Sequence, residues 1–491
     1  MPTSRSLREH TKTIGLWLGP ALFILIQLFA DFPQASITHM SAITALMVVW
    51  WITEAIPLAA TALIPIVLFP LLGISSGKDV ARVYMNSTIF LFIGGFIIAL
   101  AMQRWNLHRR IAMRIIGWFH GSGNLIVMGF MLTAAFLSMW ISNTATATML
   151  LPIGLAVYSR CAEDLRPEQR QRLLTAMMLA IAYSCSIGGV ATLIGTPPNM
   201  VMQRYSMNLP GLDEISFAQW FMFALPLSLT MLCVCWFIIT RRYTHGDFEH
   251  LSADPLHETL PKMSYEEKNV AVVFCLTALA WMLRKDIDAG FFVIPGWSSL
   301  LDGASGIDDG TVAIAASLLL FLLPSRDRSR YRNIVDVDII AEIPWKIVLL
   351  FGGGFALATG FSNSGLAEHV GRQFMVLQDQ EPSVIIAGIS TLVVFLTEVT
   401  SNTATSEILL PLMASIATAI DTDPLLLMIP VTLAASMAFM LPVATPPNAI
   451  VFASGNLKIS DMVSTGLILN LVVIVIITLL TTTWGRFVFG F

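Results

Sequence analysis

Long apolar runs dominate the chain and are joined by short polar connections. A membrane-crossing helix takes about 20 consecutive apolar residues, whereas a membrane-spanning strand takes about 10 in strict alternation. The runs are continuous rather than alternating, so the pattern predicts helices. Spans are expected near 15–31, 40–53, 56–74, 87–105, 173–202, 218–240, 269–283, 311–324, 344–362, 428–452 and 462–484. Two further runs, 124–158 and 383–419, carry a polar motif in the middle. As two tight spanning helices each would give arms of about 17 residues with the polar motif at the turn, which fits poorly with a bilayer core of about 30 Å.

Composition places the chain in a membrane. Hydrophobic residues make up 56% of its 491 residues and charged residues 12%, against about 25% charged in a soluble chain. So few charges do not coat a water-facing surface, which excludes a cytosolic enzyme, a secreted domain and a nucleic-acid binder. The net charge of −4 gives no field for polyanions. Five cysteines set mostly in apolar runs are not a disulfide framework. The longest polar stretch, 241–268, is too short for a catalytic or sensory domain. Short loops point to the inner, or plasma, membrane of a cell.

The chain repeats itself. FLFIGGF at 90–96 answers LLFGGGF at 349–355, SNTAT at 142–146 recurs at 401–405, and LLPI at 150–153 answers LLPL at 409–412, all at an offset of 259. TPPN at 196–199 returns at 445–448, at an offset of 249. Repeats of this length are the two halves of a transporter body. The organisation expected is an N-terminal segment and first span over 1–39, repeat 1 over 40–245, a cytoplasmic linker over 246–268, and repeat 2 over 269–491.

The second glycine-rich helix is the fifth span after the first, so the halves are expected to be inverted. Charge agrees, since Lys and Arg collect on the cytoplasmic side of short loops. Arg104, Arg109, Arg110 and Arg114 precede the first SNTAT run, and Arg160, Arg166, Arg170 and Arg172 follow it. The second run is flanked by Arg372 with Glu368 and Asp379, and then by Asp421 and Asp423 alone. Arg241, Arg242, Lys262 and Lys268 share one further cytoplasmic loop, and Arg326, Arg328, Arg330 and Arg332 another. A segment with both ends on one side enters and returns. Thus 124–158 reads as a re-entrant hairpin from the cytoplasmic side and 383–419 as one from outside, with SNT near each tip.

Irregular backbone at membrane depth is tolerated where it is buried or lines a cavity. SNT offers hydroxyls, an amide and carbonyls, and the paired prolines of TPPN free carbonyls upstream. A tip facing a broken helix therefore makes an oxygen cage for a small cation such as Na⁺, twice by symmetry. Ser138 pairs with Thr397 and Gly195 with Ala444 at the two offsets, adding a hydroxyl and a carbonyl to each cage. Half-helix N-termini beside the cages suit an anion. Neither motif holds Lys or Arg, so a divalent anion would be neutralised by co-bound Na⁺. Glu54, Glu398 and Glu407 lie in apolar stretches, where a carboxylate is a functional candidate for protons or cations. Against that, Glu54 can cap a helix before Pro57, and Glu407 can sit in a water-filled mouth. His108 and His120 are expected at the interface. FIGGF and FGGGF lack the lysine of a phosphate loop and read as sites of close helix packing.

The two SNT motifs, the two TPPN motifs, WWITEAIPL at 50–58 and the FIGGF helix together resemble the divalent anion–sodium symporter family, the sodium-coupled dicarboxylate and citrate carriers. The resemblance runs from about 40 to 490. It implies an all-α polytopic protein with eleven transmembrane helices, two re-entrant hairpins, two inverted-topology repeats, and scaffold and transport domains working as an elevator. It implies a homodimer, with an arm helix over about 106–120. It places one Na⁺ on Ser138, Ser142, Asn143 and Gly195 and a second on Thr397, Thr400, Asn402 and Ala444. Thr400 stands where relatives carry a small residue, so only its backbone role carries over. Substrate carboxylates would meet Asn143, Thr144, Asn402 and Thr403, with Thr196, Pro197, Thr445 and Pro446 lining the pocket. The expected function is Na⁺-coupled uptake of a C4-dicarboxylate such as succinate, malate or fumarate. A sodium-independent exchanger and a citrate or sulfate carrier are the alternatives. The expected partners are the dicarboxylate, membrane lipid and a second copy of the chain.

Overall fold

The computed structural model of the chain describes residues 4–119, 121–161, 165–209, 212, 214–245, 261–288, 293–300, 306–327 and 331–491. Most of the expected linker over 246–268 lies outside the described residues, as do His120, Arg328 and Arg330. The described residues are predominantly helical. Their two strands, Ile287–Asp288 and Val293–Ile294, form an antiparallel pair with Ile287 opposite Ile294.

The first half runs α1 (Ser4–Phe29), α2 (Ala35–Thr53), α3 (Leu58–Thr61), α4 (Ile64–Leu71), α5 (Gly77–Val83), α6 (Ser87–Arg104), α7 (Leu107–Ile116), α8 (Gly123–Ser138), α9 (Asn143–Cys161), α10 (Pro167–Gly189), α11 (Pro197–Asn208) and α12 (Phe217–Ile239). The second runs α13 (Tyr265–Met282), α14 (Asp309–Leu322), α15 (Ile339–Glu342), α16 (Trp345–Ser364), α17 (Leu366–Gln373), α18 (Pro382–Thr397), α19 (Asn402–Ala419), α20 (Pro424–Ser436), α21 (Pro446–Ala453), α22 (Ile459–Leu480) and α23 (Arg486–Phe489). Helix starts recur with the motifs. Leu107, Gly123 and Asn143 open α7, α8 and α9, and Leu366, Pro382 and Asn402 open α17, α18 and α19 at the same offset of 259.

Seven of the described helical segments are long and apolar enough to cross a membrane by length and composition. Three of the expected spans are not single continuous helices. The run 56–74 forms two short helices, α3 and α4, because Pro65 has no N–H to return to Thr61 and so prevents α3 from continuing, while Pro70 removes one donor inside α4. The spans expected at 173–202 and 428–452 are each broken in two, at 190–196 and 437–445. The prolines do not sit at the break itself. Pro197 and Pro446 open the helices beyond it, where the missing N–H would have had no partner in any case.

Contacts between distant segments sort the connections onto two faces. On one, Arg104 meets Asp338 at 3.0 Å and Glu342 at 2.9 Å, Arg110 meets Glu267 at 2.9 Å, and Gln171 donates to the Asn456 carbonyl. On the other, Ser36 donates to Ser364, Asn363 to Ser75, and Arg284 joins Glu214 to Asp309. Helix α6 leaves the second face beside Gly310 and ends at Arg104 on the first, whereas α16 starts beyond Glu342 and ends at Ser364. The two glycine-rich helices therefore run in opposite senses.

The same contacts locate the feet of the two hairpins. Asn124, at the start of α8, accepts from Trp236 and Thr244, and Arg172, beyond the end of α9, donates to the Tyr243 carbonyl. The near foot of the first hairpin and the helix that follows the hairpin, α10, thus reach the same turn after α12. The far foot of the second packs on α17, where Gly371 rests against Ser415 and Ala419. The 16 residues of α8 reach about 24 Å, short of a hydrocarbon core of about 30 Å.

Residues 173–189 of α10 and 425–436 of α20 are buried on every side, so these two helices sit at the centre of the larger core. A second core joins α2 and α3 to α16 around Met47, Trp51, Ala62, Phe69 and Leu357. Gly94 lets α6 close on α14, since a Cβ there would stand 2.6 Å from Ala313.

Candidate functional site

Each hairpin tip is a four-residue turn, 139–142 or 398–401, followed by an asparagine that opens the return helix. In the first, Ser138 Oγ donates to Asn143 Oδ1. In the second, Thr397 Oγ1 donates to Asn402 Oδ1 at 2.8 Å. The same hydroxyl–asparagine pair, five residues apart, is built twice at the expected offset. Both hydroxyls are fully buried.

Each tip rests on the break of its own half. Thr192 Oγ1 donates to the Met139 carbonyl, and Asn143 lies against the chain at Gly189 and Gly195. A Cβ on Gly189 would stand 2.7 Å from Asn143 Oδ1 and 3.1 Å from the Gly195 carbonyl. That space is therefore bordered by two neutral oxygens. In the second half Thr397 Oγ1 also lies 2.9 Å from the Ala435 carbonyl, so three oxygens converge there with one hydroxyl proton among them. Neutral hydroxyl, amide and carbonyl oxygens are hard donors, which suit a small cation rather than a soft metal. Among the described residues no cluster of three or more His, Cys, Asp or Glu forms a metal site.

The remaining candidates divide. Ser142 accepts from the Ala145 N–H at 3.2 Å and so caps the return helix. Thr400 donates its hydroxyl to the Leu396 carbonyl at 2.8 Å and accepts from Thr405 Oγ1 at 2.7 Å, which leaves its carbonyl as the group to act. Thr196 approaches Ser436 of the opposite half at 3.5 Å, which brings the two broken spans together. Thr445 accepts from the Asn448 N–H, and Ala444 is buried beside it with its N–H on Leu441. Thr144 and Pro446 are exposed, Pro197 is half-buried and Thr403 is 9% exposed. Among the described residues no hydrogen bond links Ala444 or Thr445 to Asn402.

The asparagines of the two TPPN motifs were missed as functional residues. Asn199 Nδ2 reaches the Thr192 carbonyl at 2.7 Å and Val190 at 3.0 Å, and Asn448 Nδ2 reaches Leu441 at 3.1 Å and Ala438 at 3.2 Å. Each amide therefore ties off carbonyls that the break released. Each also leaves its own Oδ1 buried without a hydrogen-bond partner. Their recurrence within the motif was the signal that could have found them.

The three acids part company. Glu398 is buried and binds the second break, accepting from the N–H groups of Phe439, Met440 and Leu441 at 2.8, 2.9 and 3.0 Å and from Asn470 at 2.8 Å. It is an anchor for unwound backbone. Glu54 sits at the end of α2 in a left-handed conformation and pairs with Lys12 at 3.7 Å, which is the capping role. Glu407 lies in no water-filled mouth, being fully buried against α16.

A family model described as the sodium:sulfate symporter transmembrane region matches residues 18–491. A sodium-dependent dicarboxylate transporter, SdcS, of Staphylococcus saprophyticus is 42% identical over 479 residues, covering 95% of this chain and 90% of the relative. The protein of the same name from Staphylococcus aureus is 43% identical over 481 residues, with the same coverage. Among solved structures, the YdaH transporter of Alcanivorax borkumensis superposes with a TM-score of 0.60 at 14% identity, covering 99% of each chain. MtrF of Neisseria gonorrhoeae, described among antimetabolite efflux pumps, gives 0.59 at 13%, covering 94% of this chain and 97% of its own. At these identities the two structures speak for the fold alone.

Proposed function

The chain belongs to the sodium:sulfate symporter family, and from that premise we propose that it is a secondary active symporter that couples Na⁺ entry to dicarboxylate uptake across the plasma membrane. The observation that carries this reading is the twice-built pair, Ser138 with Asn143 and Thr397 with Asn402, each seated on or beside a broken helix. One Na⁺ is assigned to Ser138, Ser142, Asn143 and Gly195, and a second to Thr397, Thr400, Asn402 and Ala444. The substrate carboxylates are assigned to the tip residues Asn143, Thr144, Asn402 and Thr403, with Thr196, Pro197, Thr445 and Pro446 along the pocket wall. Two cations beside a dianion remove most of the unpaired charge that the membrane interior penalises.

The two halves are read as inverted repeats of eleven spans and two re-entrant hairpins. Support comes from the opposite senses of α6 and α16 and from the shared turn that receives the start of α8 and, beyond the hairpin, α10. In the elevator reading, α8–α12 and α18–α22 carry the site and slide against a scaffold of α1–α6, α13, α14 and α16, with α7 and α17 as arms. Two copies of the scaffold would form a homodimer within the lipid.

The family is described by sulfate and the relatives by dicarboxylate, so the anion is the point to test. Labelled succinate uptake into proteoliposomes is measured under an inward Na⁺ gradient and under an equal K⁺ gradient. Uptake with Na⁺ alone, displaced by malate and fumarate but not by sulfate, is the expected result. Uptake that needs internal dicarboxylate and no Na⁺ would replace symport with exchange.

A further inference from the structure

Glu407 takes no part in the tip and break contacts. It lies within α19, is fully buried, and neither Oε1 nor Oε2 has a hydrogen-bond partner. Its carboxyl group fills the place where Gly354 of α16 lacks a side chain, since a Cβ there would stand 1.6 Å from Oε2. The tyrosine hydroxyls around it are engaged elsewhere. Tyr205 of α11 donates to the Gly354 carbonyl at 2.9 Å, and Tyr84, after α5, donates to the Ala62 carbonyl. Arg204 of α11 directs its guanidinium over Phe355, 5.9 Å from the ring centre, with Nε buried and unpaired, and makes no ion pair with Glu407. On α17, which packs along α19, Arg372 pairs with Glu368, and His369 meets Phe32. On α2, His39 meets Gln27. Helices α18 and α20 bring no titratable side chain to α19. An ionised carboxylate so placed has lost its water and gained neither donor nor cation, and a group in that position neutralises by taking up a proton.

A cavity of about 520 Å³ opens nearby between α16, α17 and α19. Its lining includes Tyr205 and Pro411, the latter one helical turn beyond Glu407, and continues past Ser415 and Thr418 to Glu368 and Arg372. The cavity comes within one helical turn of the buried acid.

We propose that Glu407 is a proton-binding site, charged and discharged from this cavity. An O–H bond forms on the carboxylate as a hydronium ion gives up its proton, and the reverse step returns the proton to water. The proton is held while α19 is seated on α16, and acid favours that seating. The link to transport rests on the elevator reading, in which α19 slides along α16. The binding of the proton does not.

The test is infrared difference spectroscopy on the full-length protein in lipid nanodiscs, comparing wild type with Glu407→Gln. The expected result is a carbonyl stretch of an un-ionised acid, shifted in D₂O, unchanged between Na⁺ and K⁺, and lost in the variant. Glu407→Met replaces Glu407→Gln if the latter does not assemble. Identical spectra for wild type and variant would overturn the proposal. So would a carboxylate band that responds to Na⁺, which would make Glu407 a cation ligand. Na⁺-driven uptake is measured separately in the same preparations. Its absence in wild type would sink the transport reading and leave the band to decide the proton site.

Discussion

Asn470 of α22 donates its side-chain N–H to Glu398 Oε1 at 2.8 Å, across 72 residues of sequence. The bond holds the carboxylate at the angle from which its two oxygens collect the N–H groups of three successive residues, Phe439, Met440 and Leu441. A broken helix is thereby fixed in one shape instead of fraying at membrane depth.

Glu398→Ala removes the acceptor for four donors at once. Each buried donor left unpaired costs about 1–3 kcal/mol, so a loss on the order of 3 kcal/mol or more is expected. Glu398→Gln keeps one acceptor oxygen and loses less. Thermal unfolding of the detergent-solubilised protein ranks the two variants, and equal losses would remove Glu398 from its anchoring role.

Asn143→Ala and Asn402→Ala each take one amide oxygen from a cage while leaving the hairpin helices intact. Uptake is expected to fall by on the order of tenfold to a hundredfold, with the melting temperature of the substrate-free protein little changed. Normal Na⁺-driven uptake by both variants would refute the site assignment.

Gly354→Ala drives a methyl group into the Glu407 carboxyl. Overpacking of this kind costs about 1–3 kcal/mol. Adding Glu407→Ala should recover part of that loss, because the methyl then enters the vacated space. A double variant no more stable than Gly354→Ala would show that the two residues do not meet.

Arg284 is 3% exposed and joins Asp309 at 2.6 Å to Glu214 at 2.8 Å, tying α13 to the start of α14 and to the approach to α12. Arg284→Met strands the buried Asp309, while Glu214 keeps Lys285 at 3.2 Å, and should cost about 3–5 kcal/mol. Denaturant or thermal unfolding provides the measurement. A loss below about 1 kcal/mol would place the cluster among exposed ion pairs.

Na⁺ that binds the folded cages raises stability by mass action, by about 2.7 kcal/mol at a hundredfold excess over Kd. Melting temperatures in NaCl should exceed those in KCl at equal ionic strength, and Asn143→Ala with Asn402→Ala should abolish the difference. Equal melting curves for the native chain in the two salts would argue against Na⁺ as the coupling ion.

Much of this protein is set by local pattern. Apolar runs about as long as a bilayer is thick leave helices as the outcome, because backbone groups in lipid must find partners within their own segment. The recurrence of SNTAT and TPPN at fixed offsets named both tips and both breaks, since a duplicated chain keeps the polar residues its duplicated geometry needs. Loop charges place Arg104, Arg110 and Arg172 together on the expected cytoplasmic side. What tertiary structure alone decided is which polar groups meet across long separations. Glu54, Glu398 and Glu407 look alike in the sequence, each an acid in an apolar stretch. Only folding brings N–H groups 41 to 43 residues away onto Glu398, Lys12 onto Glu54, and the bare backbone of Gly354 onto Glu407. A carboxylate's role follows from the donors and water within reach, and that reach is a property of packing rather than of its neighbours in the chain.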